Sequence, residues 1–355
     1  MSLKSLNMSE MQSKSACDIS NVMLKEFYYE VYPKRYKALI CNFKWLNRSY
    51  FFNNKIPIVL IASDKIIAHA GMIPLNVFLD DESFTATWYI DFAVLPAFHR
   101  QGLGTLITNK YSEFSDIQLA LSCNDMSITV FRKLGWIESA NTFLHINFIA
   151  PFSYPGVTKR LPPLLCKIFN YISQPFLYCI YKINLSSDAN YKIEILHENI
   201  LNDFIKLYNK SKIATCSINA VKPVRDKDFI NWRVLNSPDK AKYHIFSTKD
   251  FMALILFNHN HGSYIDILWV TDILNYSAIK TMICYLALYG MKSEYSYTRF
   301  YTTQKDLSNY LRKRLKSLVR FPRFAIFSKN PELLNRLRNV EWNWELIDND
   351  FERIY

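Results

Sequence analysis

A chain of 355 residues, half of them hydrophobic and 21% charged, is neither disordered nor of low complexity, and it exceeds the size at which one core is usual, so two domains are expected. Its formal charge of +12 favours anionic partners, although cofactor phosphates, a nucleotide sugar, nucleic acid and an anionic bilayer all qualify. Seven cysteines without CxxC spacing argue against a zinc module and give no disulfide framework, which fits a reduced cytoplasmic setting with no metal.

The first residues show no apolar run behind a basic start, so no secretory signal is expected. Residues 18–32 read as a helix with Val22, Met23, Phe27 and Tyr28 on its apolar side and Pro33 as its stop. Residues 36–52 are dense in aromatics, among them Tyr36, Phe43, Trp45, Tyr50, Phe51 and Phe52, which suit either core packing or the lining of a ligand pocket. Residues 56–62 and 66–74, continuing toward Phe78, form a strand pair turned at Asp64 and Lys65. Asp80, Asp81 and Glu82 then make an acidic turn, either a solvated hairpin tip or an attraction for a cationic amine.

The stretch that organises the chain follows. Residues 84–94 are aromatic and β-branched and read as a buried strand, which Pro96 ends. After H-R-Q-G-L-G-T, the residues Leu103, Leu106, Ile107 and Tyr111 mark one face of a helix. Gly102 and Gly104 allow close backbone approach, the first helical amides lack intrahelical acceptors, and Arg100 adds a positive charge. Such a unit suits a phosphate or pyrophosphate, or is only a tight turn. The ATPase phosphate loop does not fit, because Lys and Ser/Thr do not follow the glycines in order, and the dinucleotide fingerprint lacks its third glycine. Residues 117–123 form a second short strand, Asn124, Asp125 and Ser127 cap the helix carrying Ile128, Phe131 and Leu134, and Gly135 closes it before Trp136 opens a return strand.

The order strand, R-Q-G-L-G helix, strand, N-D-M-S-I-T-V-F-R-K-L-G-W resembles the core of the acetyl-coenzyme-A-dependent N-acyltransferases of the GNAT superfamily. The resemblance covers roughly residues 1–150 and is best over 84–138. It implies an α/β (α+β) fold with a mixed, mainly antiparallel central sheet flanked by helices and split between two central strands. The pantetheine arm of acetyl-CoA, or of another acyl-CoA, would enter the split beside Phe92, Ala93 and Val94, with the pyrophosphate on Arg100, Gln101, Gly102, Leu103, Gly104 and Thr105. Asn124, Ser127 and Phe131 complete the implied cofactor contacts. Position 131 departs from the family, because many relatives carry there a tyrosine that protonates the leaving thiolate, and phenylalanine has no proton to give.

The amine must lose its ammonium proton before it attacks a thioester, so a carboxylate or imidazole has to be within reach. Asp91 leads as catalytic candidate because it interrupts an apolar strand just before the implied cofactor contacts, and support of the neighbouring loop is the other reading. His69, on the preceding strand, is the second catalytic candidate or a satisfied buried histidine, and His99 belongs to the loop. Cys123 would need activation to act as a nucleophile and reads as core.

Residues 151–190, broken by Pro151, Pro155, Pro162, Pro163 and Pro175, form a hydrophobic basic segment between a catalytic domain at 1–150 and a divergent GNAT-like domain at 191–355. Packing between domains, peripheral contact with an anionic membrane on the cytoplasmic face, and oligomerisation are its open roles. In the second half, strands are expected at 191–196, 243–247, 252–258, 263–270 and 324–328, and helices at 201–211, 228–235 and 276–291. Its counterpart of the cofactor loop, residues 271–278, has no glycine pair and no arginine, so the first half should bind the donor and the second should complete the acceptor cleft or stabilise the first. Trp342, Trp344, Asp348 and Asp350 suit either a sugar contact or a packed terminus. The basic run over 305–323 lacks any nucleic-acid motif. The expected activity is acyl transfer, acetyl first, to the amine of an amino sugar or another small metabolite. An acyl-carrier-protein donor and a non-enzymatic scaffold are the alternatives.

Overall fold

Alternating apolar runs, buried on both faces near their centres, build two separate sheets. The structure is a computed structural model that describes residues 11–80, 82–186, 190–214, 220–259 and 263–348. In chain order the strands are β1 (Gln12–Ser15), β2 (Ile58–Ala62), β3 (Lys65–Leu79), β4 (Glu82–Val94), β5 (Ile117–Leu121), β6 (Ile137–Ser139), β7 (Phe143–Phe148) and β8 (Lys192–Ile195). They continue with β9 (Ala220–Pro223), β10 (Tyr243–Ser247), β11 (Met252–Asn258), β12 (Tyr264–Val270), β13 (Tyr297–Thr302), β14 (Leu318–Arg320) and β15 (Phe324–Phe327). The first sheet runs β1-β2-β3-β4-β5-β15-β6 with β9 beside β3, and the second runs β14-β7-β13-β12-β11-β10-β8. Among the pairings described, each sheet is antiparallel except for one parallel pair, β4 with β5 in the first and β12 with β13 in the second. This is the mixed, mainly antiparallel architecture expected from the sequence, present twice.

The helices are α1 (Asn21–Val31), α2 (Tyr36–Cys41), α3 (Phe43–Asn47), α4 (Leu103–Tyr111), α5 (Asp125–Lys133), α6 (Pro155–Thr158) and α7 (Pro163–Asn184), then α8 (Glu198–Ala214), α9 (Lys227–Ile230), α10 (Tyr276–Lys292), α11 (Lys305–Leu315) and α12 (Pro331–Arg338). Two compact units result. Unit 1 takes the chain up to Ala140, Val221–Trp232 and Arg323–Val340, and unit 2 takes Asn141–Ala220, Arg233–Pro322 and the chain from Glu341 onward. The division is therefore not linear, as a boundary at 151–190 would make it. β7 follows β6 in the chain but pairs with β13 in the second sheet, and β15 comes back to fill the first sheet between β5 and β6. Nothing local marks the exchange, because Phe143–Phe148 and Phe324–Phe327 alternate or run apolar like any inner strand.

Two elements differ from expectation. The proline-rich segment holds the 22-residue helix α7. Pro163 occupies its first turn, where an N–H has no intrahelical acceptor, and Pro175 frees only the carbonyl of Tyr171, a residue 81% exposed. β13 was hidden by its charge: the buried Arg299 looks wrong in an inner strand until it meets the buried Asp266 on β12, at 2.6 and 2.7 Å. Among the described residues, no helix is long and apolar enough to cross a membrane.

Candidate active site

β4 and β5 pair only from Ala86↔Ile117 to Tyr89↔Ala120, although β4 runs on to Val94. The strands part at Ile90 and Leu121, and Asp91, Phe92, Ala93 and Val94 are partly exposed where Ala86 to Ile90 are buried. At the same level Asp91 and Phe92 stand opposite the single Ala70 of β3, a β-bulge. Asp91 takes the left-handed backbone, φ 45°, which a non-glycine residue keeps only where its surroundings hold it.

Four side chains do that holding. The Asp91 carbonyl accepts from His69 Nδ1 at 3.0 Å, so the proton sits on Nδ1 and Nε2 must accept from the Tyr28 hydroxyl at 2.9 Å. Tyr32, just past α1, donates to the Phe92 carbonyl at 3.2 Å. Arg35 reaches the Asp91 carboxylate at 3.2 Å, with the carboxylate 6% exposed. Burial drives the Asp91 carboxyl above the usual carboxylate range while the Arg35 guanidinium pulls it back. Burial lowers His69 to about 4, so this ring is neutral near neutral pH with both nitrogens engaged. His69 is placed to position the bulge; Asp91 carries the carboxylate at the split. Sequence reasoning missed Arg35, Tyr28 and Tyr32 as site residues, since only the fold brings the end of α1 to the bulge.

The loop after β4 is tied back by His99, whose Nε2–H donates to the Val94 carbonyl at 2.9 Å. Arg100 and Gly102 both take positive φ, 63° and 80°, and turn the chain into α4. Gly102 is the N-cap of α4 and supplies no side-chain cap; the first intrahelical bond runs from Leu106 N to Gly102 O at 3.0 Å. The amides of Leu103, Gly104 and Thr105 thus precede the helical ladder and present the positive end of the dipole, the arrangement that suits a pyrophosphate. Gly104 has a packing reason as well: a side chain there would meet Phe92 Cζ at 3.3 Å and Val130 Cγ2 at 3.4 Å.

The other expected residues divide. Asn124 caps α5, its side-chain oxygen accepting from Ser127 N at 2.8 Å. Phe131 is buried in a stack with Trp136, ring centres 4.3 Å apart, beneath Phe92 at 6.4 Å. Burial pushes the Cys123 thiol up to about 12, which keeps it protonated and inert. Asp80 and Glu82 bind Arg336 at 3.2 and 2.6 Å, so that turn holds α12, while Asp81 lies outside the described residues. Trp45 and Trp232 donate to each other's carbonyls at 2.9 and 2.7 Å, which makes that part of the aromatic stretch packing. Among the described residues, no group of three metal-ligating side chains comes together.

Unit 2 repeats the split with different residues around it. β12 and β13 pair from Tyr264↔Tyr297 to Ile267↔Phe300 and then part, with Leu268 as the extra residue of a bulge against β11. The chain's own 342–348 segment occupies that end. Glu345 accepts from the Val270 amide at 2.8 Å, Thr303 donates to the Trp342 carbonyl, and Trp344 is 1% exposed. Trp342, Trp344 and Asp348 are therefore packed, and Asp350 lies outside the described residues. α10 begins with a side-chain cap, Asn275 accepting from Ala278 N at 3.1 Å.

A split parallel pair, a bulge at the level of the split and an uncapped glycine-opened helix form a site suited to a pyrophosphate-bearing group. Residues 18–136 match the family described as acetyltransferase (GNAT), so this part of the chain carries a GNAT-type domain. Solved structures agree in fold. A GCN5-related N-acetyltransferase from Kribbella flavida superposes with TM-score 0.55 at 9% identity, over 90% of this chain and 72% of that one. A second such protein, from Anabaena variabilis, gives 0.55 at 10%, over 90% and 73%. The Saccharomyces cerevisiae N-myristoyltransferase, solved with bound myristoyl-CoA, gives 0.54 at 11%, over 91% and 80%. No curated protein sequence matches the chain.

Proposed function

We propose that unit 1 transfers an acetyl group from acetyl-CoA to the primary amine of an amino sugar or another small metabolite. The observation that carries this reading is the split at Tyr89↔Ala120, which runs from the Asp91–Arg35 pair to the uncapped start of α4. The thioester would lie along Asp91–Val94, with the pyrophosphate on the Leu103, Gly104 and Thr105 amides and on Arg100. Asp91, ionised, takes the ammonium proton directly or through one water, and the amine lone pair then attacks the thioester carbonyl. With phenylalanine at 131, the leaving thiolate takes its proton from solvent or from the spent base. Unit 2 binds no donor, because its own chain fills the matching split.

The test is a matrix of acetyl-, longer acyl-CoA and acyl-carrier-protein donors against amino sugars, polyamines and amino acids, read by release of free thiol. Turnover with acetyl-CoA and an amino sugar is the expected result. Turnover confined to carrier-protein donors, or to amino acids or polyamines, would replace the donor or the acceptor in this reading.

A further inference from the structure

Helix α7 is apolar on two opposite faces. One face is buried in unit 2, where Cys166 and Tyr181 are 5% and 1% exposed and the Tyr181 hydroxyl donates to the Phe148 carbonyl at 2.7 Å. On the other face Leu164, Tyr171, Ile172, Phe176 and Ile183 are 65–82% exposed. One unbroken run of large apolar groups over more than four turns is far more than the scattered exposure normal for a protein surface. It needs a cover.

The charges around this face say what the cover is. Residues 151–187 contain Lys159, Arg160, Lys167 and Lys182 and no Asp or Glu. At the C-terminal end of the helix, Asn184 Nδ2 lies 3.5 Å from the Arg314 carbonyl, which brings α11 alongside. There Arg312, Lys313 and Lys316 line a shallow depression with Asn309 and Ser317. Basic residues thus precede α7 in the chain and lie within it, and α11 brings more beside its C-terminal end. A protein partner is fixed by matched donors, acceptors and charges of both signs, whereas this face offers aliphatic and aromatic bulk, two tyrosines and one sign of charge.

We propose that α7 seats unit 2 on an anionic bilayer surface, lying in the interface plane with its outer face among the acyl chains and with Lys182 and the α11 cations on lipid phosphates. Neither the apolar nor the cationic element holds alone: interfacial binding adds buried apolar area to attraction for anionic lipid. The inference does not depend on the acyl acceptor.

The test is flotation of the full chain with phosphatidylcholine vesicles, with and without added phosphatidylglycerol. Binding is expected to the mixed vesicles and to weaken steeply with salt. Ile172→Ser with Phe176→Ser should reduce binding roughly a hundredfold, the loss of two buried apolar side chains. Arg312→Glu with Lys313→Glu should abolish the preference for anionic lipid. All these positions are exposed, and an unchanged circular dichroism spectrum confirms that the variants fold. Failure of the native chain to float with either lipid, or flotation that the serine pair leaves unchanged, overturns the proposal. So does a concentration-dependent dimer dispersed by the serine pair without vesicle binding, which would make a second copy the cover.

Discussion

The two units build the same split from the same topology, and only one of them keeps it open. In unit 1 the bulge brings Asp91 and Phe92 to the gap, and α4 starts at a glycine with no side-chain cap. In unit 2 the bulge carries Leu268, Asn275 caps α10, and Glu345 occupies the Val270 amide. A parting pair of parallel strands is therefore a liability as much as a site. It leaves backbone groups and apolar surface unmatched, and the protein must satisfy them with its own chain or leave them for a ligand. Unit 2 does the first, and in the function proposed above unit 1 does the second.

The comparison breaks most visibly if the units are cut apart. A fragment ending at residue 150 lacks β15, which sits between β5 and β6, and carries β7 without its sheet. It should show no cooperative thermal transition and no coenzyme A binding; a stable fragment that binds would restore a linear boundary. Next in size is Asp91→Asn, which keeps the shape but removes the proton acceptor. The single-turnover rate should fall roughly 10²- to 10⁴-fold, the usual range for a general base, with donor affinity little changed. Burial raises the Asp91 pKa, and the ionised form is the active one, so the native rate should rise with pH through that raised value and then level off. Loss of this rise in the variant is the expected signature, and an unchanged rate and profile would remove Asp91 from the chemistry.

Smaller effects test the loop and its counterpart. Gly102→Val forces a β-branched residue into φ 80°, and Arg100→Ala removes a phosphate charge; each should weaken coenzyme A about tenfold by calorimetry, with one site per chain in the native protein. Two equivalent sites would cancel the contrast between the units. The smallest change is Asn275→Ala, which removes a helix cap and should cost about 1 kcal/mol of stability in a denaturant titration while leaving donor affinity alone.

Much of unit 1 was legible because its signals are local. The run from β4 through the glycines to α4, and the Asn124 cap, stand in consecutive residues whose geometry depends on near neighbours. The bulge was not legible, since Asp91 looks like any polar interruption until Ala70 is placed opposite it. His69 looked like a candidate base for the same reason: its engagement by Tyr28 and by the Asp91 carbonyl joins three separate elements. Arg299 shows the converse, a charge that argues against a buried strand until its partner Asp266 is known.

The exchange of β7 and β15 also sets a timetable. β5 and β6 leave the ribosome well before the strand that belongs between them, which begins at Phe324. At ~5–20 residues per second, roughly 10 to 40 s pass between the completion of β6 and the arrival of β15. Throughout that interval the nascent first unit lacks the strand that joins β5 to β6, and unpaired strand edges are the geometry most open to pairing with a neighbouring chain. The first sheet therefore closes only after every described strand of the second has been synthesised.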